Sequence, residues 1–256
     1  MLNLKITSGA LSVWSRNFLY YRKTWTVSLF WTVLEPLLLL GAIGFGLGSY
    51  VNNMTGKSFV EFFFPGLLCS TAMMVGFFEC TYSTYTKLAT QKTLNVILMT
   101  PISAEDIAIG EILWGSTKGI FGALGVVLVS SVFGLIDSWR IIPALIVVWM
   151  ISVMFACIGL IVTCFAKNYD SFIYATSGFI MPMSLLAGTY FPISDLPGYM
   201  KIIAYFLPLT HGVAAVRSIL FGKFEWQILA HLFITCGLLW VLLPLAVRKL
   251  HRRLVK

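Results

Sequence analysis

Residues 85–107 read YTKLATQKTLNVILMTPISAEDI, the longest polar interruption between apolar stretches on the side of the chain that carries the basic termini. Leu94, Ile97 and Leu98 fall on one face of a short helix, while Gln91, Lys92 and Asn95 fall elsewhere. Pro101 lacks the N–H needed to continue that helix, which therefore ends by Thr100. Ser103, followed three residues later by Asp106, has the spacing of a capping box and opens the next helix. A short capped amphipathic helix at one face of a membrane suits docking on a soluble partner. It suits equally a loop helix resting on the membrane surface.

The sequence around this stretch is written for lipid. Of the 256 residues, 59% are hydrophobic and 11% charged, against roughly 25% charged in a soluble domain. About 20 apolar residues cross a bilayer, and six stretches qualify: 27–50 and 59–84 before the polar interruption, then 107–133, 141–165, 172–191 and 226–247 after it. Residues 1–25 are amphipathic instead, with Trp14, Phe18, Tyr21 and Trp25 at helical spacing and Arg16, Arg22 and Lys23 interleaved, as in a helix lying in the interface. Residues 192–225 contain Pro192, Pro197 and Pro208, and their apolar runs are too short to cross. They read as paired short helices dipping into the outer interface. The expected fold is an all-α polytopic membrane protein with an interfacial segment (1–25) and one six-helix domain (26–256). That domain carries a helix within 85–105 and a re-entrant segment before the last span.

Basic residues orient it. Lys5, Arg16, Arg22, Lys23, Lys87, Lys92, Lys167, Arg248, Lys249, Arg252, Arg253 and Lys256 gather on one side, against Lys57, Arg140, Lys201, Arg217 and Lys223 on the other. Positive loops stay in the cytoplasm, so both termini are expected there, with the tail VRKLHRRLVK (247–256) against anionic headgroups rather than nucleic acid. Cys69, Cys80, Cys157, Cys164 and Cys236 lie in or at the ends of apolar stretches without CxxC spacing, so neither a disulfide framework nor a metal site is expected. No removable signal peptide is expected either. Motifs of the GxxxxGK[ST], HExxH and GxSxG kinds are absent, so any ATP used is hydrolysed by another chain. His211 and His251 stand alone, and His231 lies near the outer end of the last span.

Four charges fall within the spans: Glu35, Glu79, Glu111 and Lys118. A helix rises about 1.5 Å per residue, which puts all four in the cytoplasmic half of the bilayer. An unpaired ammonium at such depth is costly, so Lys118 should pair with one of the three glutamates. Glu111 and Lys118, seven residues apart, share a helix face. The group reads as an ion-pair network fixing helix register, as substrate contacts, or as part of a proton relay. Pro36 is expected to kink the first span near 33–36, and Pro182 to break the fifth near its middle.

The stretches VWSRNFLYYRKTW (13–25), EPLLLLGAIGFGLG (35–48), FECTY (78–82), IAIGEILWGSTKG (107–119), KNYDSFIY (167–174), FPISDLP (191–197) and FLPLTHGVAAVR (206–217) together resemble the ABC-2 type permeases. The resemblance spans essentially the whole chain and is to the lipo-oligosaccharide, or nodulation-factor, exporter branch. It implies a homodimer in the bacterial inner membrane with two copies of a separate cytoplasmic ABC ATPase, which binds ATP and Mg while this chain binds no cofactor. It also implies outward movement of a glycolipid or lipo-oligosaccharide, or alternatively efflux of a drug or antibiotic. Gln91, Lys92, Leu94, Asn95, Ile97, Leu98, Thr100 and Arg16 would then couple to the ATPase. Met74, Phe78, Tyr174, Phe179 and Met181 would line the substrate path, and 192–217 would close it outside. A proton-driven secondary transporter and a membrane scaffold are the readings from other classes.

Overall fold

A computed structural model describes residues 7–48, 50–51, 56–136, 139–222 and 226–255, with the backbone alone for 27–32, 45 and 47. Lys5, Lys223, Lys256 and the first six residues of the expected interfacial segment lie outside the described residues. Helix α1 (Ser8–Lys23) starts where the Thr7 hydroxyl accepts a hydrogen bond from the Ala10 N–H at 3.1 Å. It does not lie apart in the interface but packs along α5 (Ala104–Val132) with Ala10 and Val13 fully buried. A methyl group added at Gly110 of α5 would stand 2.8 Å from the Ala10 carbonyl, so the two backbones touch.

Helix α2 (Trp25–Leu39) also leans on α5 and passes into a π-helical stretch, Leu40–Leu47. The irregularity expected at Val33–Pro36 thus appears beyond the proline, in a glycine-rich run with few side chains to hold tighter winding. Helix α3 (Phe59–Phe78) is opened by a capping box between Ser58 and Glu61 and continues through π segments Glu79–Ser83 and Thr86–Thr90. The unbroken helix Phe59–Thr90 is six residues longer than the 59–84 read from the sequence. After α4 (Thr93–Ile97), the capping box at Ser103 and Asp106 opens α5, and the Thr7 hydroxyl donates to the same Asp106 carboxylate.

Helix α6 (Ile141–Phe165) completes a three-helix centre with α3 and α5. The fifth expected span is divided into α7 (Ser171–Ala175), a π turn Thr176–Ile180 and α8 (Met181–Leu186). The break precedes Pro182, which sits in the first turn of α8, where its missing N–H costs nothing. Gly188, at φ 81°, ends the helix three residues before Phe191. The re-entrant segment is α9 (Gly198–Phe206) and α10 (Pro208–Phe221), bent by 88°. Helix α11 (Gln227–Leu254) packs on α6, α5 and α10 and turns Leu229, Phe233, Trp240 and Val241 outward, as a lipid-facing helix does. Among the described residues, four helices are long and apolar enough to cross a bilayer, or five if α9 and α10 count as one, rather than six. The first and fifth expected spans appear as shorter apolar helices, Val33–Gly44 and Ser171–Leu186.

Glycine sets the spacing of the centre. A Cβ at Gly159 of α6 would meet the Phe77 carbonyl at 2.7 Å, and one at Gly119 of α5 would meet the Ala72 carbonyl at 2.9 Å. Membrane helices without a hydrophobic force between them gain from such close packing. Replacing Gly119 with Leu is therefore expected to cost about 1–3 kcal/mol by overpacking. It should lower the thermal midpoint followed by tryptophan fluorescence in detergent, and an unchanged midpoint would contradict this packing.

On the side opposite the basic termini, Arg217 of α10 donates to the carbonyls of Phe62 at 3.1 Å and Gly188 at 2.7 Å and lies over the Phe62 ring. It ties the re-entrant pair to α3 and to the turn after α8, a role its external position in the sequence did not disclose. His211 is not isolated: its Nδ1 lies 2.9 Å from His231 Nδ1, and its Nε2 lies 3.0 Å from the Tyr205 carbonyl oxygen.

Candidate functional site

The π winding after Glu79 carries Lys87 inward at the basic end of the bundle, where it is 7% exposed. Its ammonium pairs with the Glu111 carboxylate of α5. The Thr84 hydroxyl (2.9 Å) and the Asn17 amide (3.0 Å) donate to the same carboxylate, so α1, the end of α3 and α5 meet at one buried anion. A pair this dry is tolerated only when its remaining donors and acceptors are satisfied. Lys87, read from the sequence as a cytoplasmic loop cation, is a buried structural one.

A second pair lies beside it. Lys118 Nζ is 2.6 Å from Glu79 Oε2, and the Trp114 indole N–H donates to Glu79 Oε1 at 2.8 Å. The intramembrane charges thus form two pairs, Glu79–Lys118 and Glu111–Lys87. Glu35 is in neither and is exposed on α2. Glu111 and Lys118 do share a face of α5, but two turns apart, so each meets a different turn of the neighbouring helix. Trp114 also packs against Trp14, Phe18 and Tyr21 of α1, with ring centroids 5.5–6.5 Å apart.

The chain reverses at Lys92, whose φ of 54° is left-handed, and enters α4. Leu94 is completely buried in a cluster with Ala10, Val13, Ile107 and Leu250, and Ile97 and Leu98 pack against it. The apolar face that the sequence offered to a partner is therefore folded onto the chain's own core. Gln91, Lys92, Asn95 and Thr100 are exposed, as are Val96 (59%) and Met99 (85%). Those two apolar residues, three apart on the outer face, were the legible signal of a second surface.

Arg16 does not project outward with them. It borders a cavity of about 460 Å³ between α1, the end of α3, α4 and α5, lined also by Glu79, Lys87, Gln91, Trp114 and Lys118. Of the expected path residues, Tyr174, Phe179 and Met181 are 82%, 41% and 51% exposed along α7, the π turn and α8. Met74 and Phe78 of α3 are half-buried against the main core. The Phe78 ring reaches Tyr82 at 5.9 Å, and Tyr82 reaches Phe172 of α7 at 4.9 Å, so these walls adjoin at the basic end.

A helical bundle with apolar outer faces, charges paired inside one end and a short helix held beyond that end has the build of a polytopic membrane transport subunit. The chain belongs to the ABC-2 type transporter family, whose sequence pattern matches residues 10–221. It is 31% identical to nodulation protein J of Rhizobium meliloti (strain 1021) over 245 residues, 96% of this chain and 94% of that protein. It is likewise 31% identical to nodulation protein J of Rhizobium leguminosarum bv. viciae over 248 residues, 96% and 95% of the two chains. Inner membrane transport permease YadH of Escherichia coli (strain K12) is 22% identical over 208 residues, 80% of each chain. No solved structure matches the chain.

Proposed function

We propose that this chain is the membrane subunit of an ATP-driven exporter that moves an amphiphilic glycolipid or lipo-oligosaccharide outward across the bacterial inner membrane. Both termini and α4 are cytoplasmic, and α2 and the α7–α8 segment complete six crossings. Two copies meet along the face bearing Tyr174, Phe179 and Met181, and two ATPase subunits, which carry ATP and Mg, dock beneath. The observation that carries this reading is α4 itself, anchored inward by Leu94 while Val96 and Met99 face out. A push on α4 reaches α3 directly and crosses to α1 and α5 through the Lys87–Glu111 pair, so the helices shift together between two packings. The relatives named for nodulation support the lipo-oligosaccharide cargo over a drug.

The test is transport in proteoliposomes that hold the permease with its ATPase. With MgATP, a fluorescent acylated chito-oligosaccharide should move to the side opposite the ATPase, and without nucleotide it should stay. Movement driven by a proton gradient without any ATPase would overturn the proposal in favour of a secondary transporter.

A further inference from the structure

The polar cavity beside α4 carries an unmatched positive charge. Lys87 is taken up by Glu111 and Lys118 by Glu79, but among the described residues Arg16 has only the neutral Asn17 amide oxygen, at 3.0 Å from Nη2. Arg16 Nη1 is buried and, among the described residues, without a hydrogen-bond partner. A guanidinium has five donors in a planar fork and favours an oxyanion that can take two of them. Leaving one partly buried with an empty donor is expensive, so the cavity is built to receive an anion.

The adjoining space indicates what carries that anion. A mostly apolar groove of about 420 Å³ runs along α5, lined by Phe18, Trp25, Phe121, Leu124 and Leu128 together with Arg22. Tyr21 lines both spaces. Its ring lies 5.5 Å from Trp114 on the polar side and 5.6 Å from Phe121 on the apolar side, so one aromatic ring separates the two compartments. Leu124 and Leu128 are 43% and 56% exposed on the outer surface of α5, and the groove therefore opens toward lipid. A charged pocket at the basic end, with a greasy groove one aromatic ring further along α5, matches an anionic lipid, not a free ion.

We propose that this pair of cavities binds a phosphate-bearing lipid, its headgroup on Arg16 and one acyl chain along Phe121, Leu124 and Leu128. The headgroup touches both α1 and residues Gln91 and Thr93 beside and in α4, so bound lipid braces the segment on which the partner would dock. The assignment to the cytoplasmic leaflet and the bracing of a partner's docking segment rest on the function proposed above.

The experiment measures binding of didecanoyl phosphatidic acid to the full-length protein in uncharged detergent by native mass spectrometry. Didecanoylglycerol and inorganic phosphate serve as the separate tail and headgroup probes. Phosphatidic acid should bind, Arg16→Gln should weaken it by about tenfold as loss of a charge-assisted hydrogen bond does, and Leu124→Trp should weaken it by filling the groove. Neither didecanoylglycerol nor inorganic phosphate should displace it at equal concentration. Because Leu124 faces outward, Leu124→Trp reads the site even if Arg16→Gln proves unstable. The proposal is overturned if both variants bind as wild type does. Competition by inorganic phosphate as strong as that of the lipid would also overturn it, marking a free-anion site. So would an Arg16→Gln protein that keeps its lipid affinity but loses the ATPase, since a partner's acidic side chain would then be the occupant.

Discussion

Glu111→Leu is expected to cost about 3–5 kcal/mol of stability, the usual penalty for removing one partner of a buried ion pair. The Lys87 ammonium would be left 7% exposed with, among the described residues, only Asn17 Oδ1, 3.5 Å away, as acceptor. The Asn17 amide would lose its acceptor as well, and the Thr84 hydroxyl would keep the Glu79 carbonyl oxygen at 3.4 Å. Adding Lys87→Met should recover most of the loss, because apolar residues of similar volume can replace a buried pair at little cost. Thermal unfolding of purified Glu111→Leu, Lys87→Met and the double variant beside wild type gives the cycle directly. A Glu111→Leu protein as stable as wild type would mean that the pair does not carry the fold. Transport then separates packing from coupling: if the pair hands motion from the α4 end of α3 to α5, the double variant should be stable yet export slowly.

That pair shows how far the sequence could be read. Glu79, Glu111 and Lys118 stand out as charges in apolar spans, and the cost of an unpaired ammonium leads to Lys118 and a glutamate without further information. Lys87 does not stand out, because in the sequence it lies past the point where hydropathy fades. Only π winding, which keeps the helix going to Thr90, brings it back into the bundle. The same limit applies to the α7–α8 segment. Its apolar length reads as a full span, whereas the π turn at Thr176–Ile180 and the left-handed Gly188 are backbone events that composition does not encode. Local signals fared better. The Ser103–Asp106 box forms as read, because hydroxyl and carboxylate act within one helical turn. The inner or outer facing of α4 was not legible, since both choices expose an apolar pair. Which one is buried depends on Ala10, Ile107 and Leu250, brought in from far along the chain.

The two faces of α4 should therefore respond in opposite ways to the same kind of substitution. Leu94→Asp places a carboxylate where Leu94 is 0% exposed, in a cluster built of aliphatic side chains. With no partner there, the charge should cost about 3–5 kcal/mol, enough to remove most folded protein from the membrane fraction. Val96→Asp with Met99→Asp changes residues that are 59% and 85% exposed, and stability should stay within about 0.5 kcal/mol per site. If the outer face is where the ATPase docks, this second variant should fold, reach the membrane and fail to bring the ATPase through copurification, because two carboxylates would have to be desolvated in the contact. Leu94→Asp alone cannot make that distinction, since a protein that does not fold captures nothing. Normal copurification by the Val96→Asp/Met99→Asp protein would move the docking surface off α4. Helix α1, with Arg22 and Lys23 exposed at its end, would then be the next surface to test.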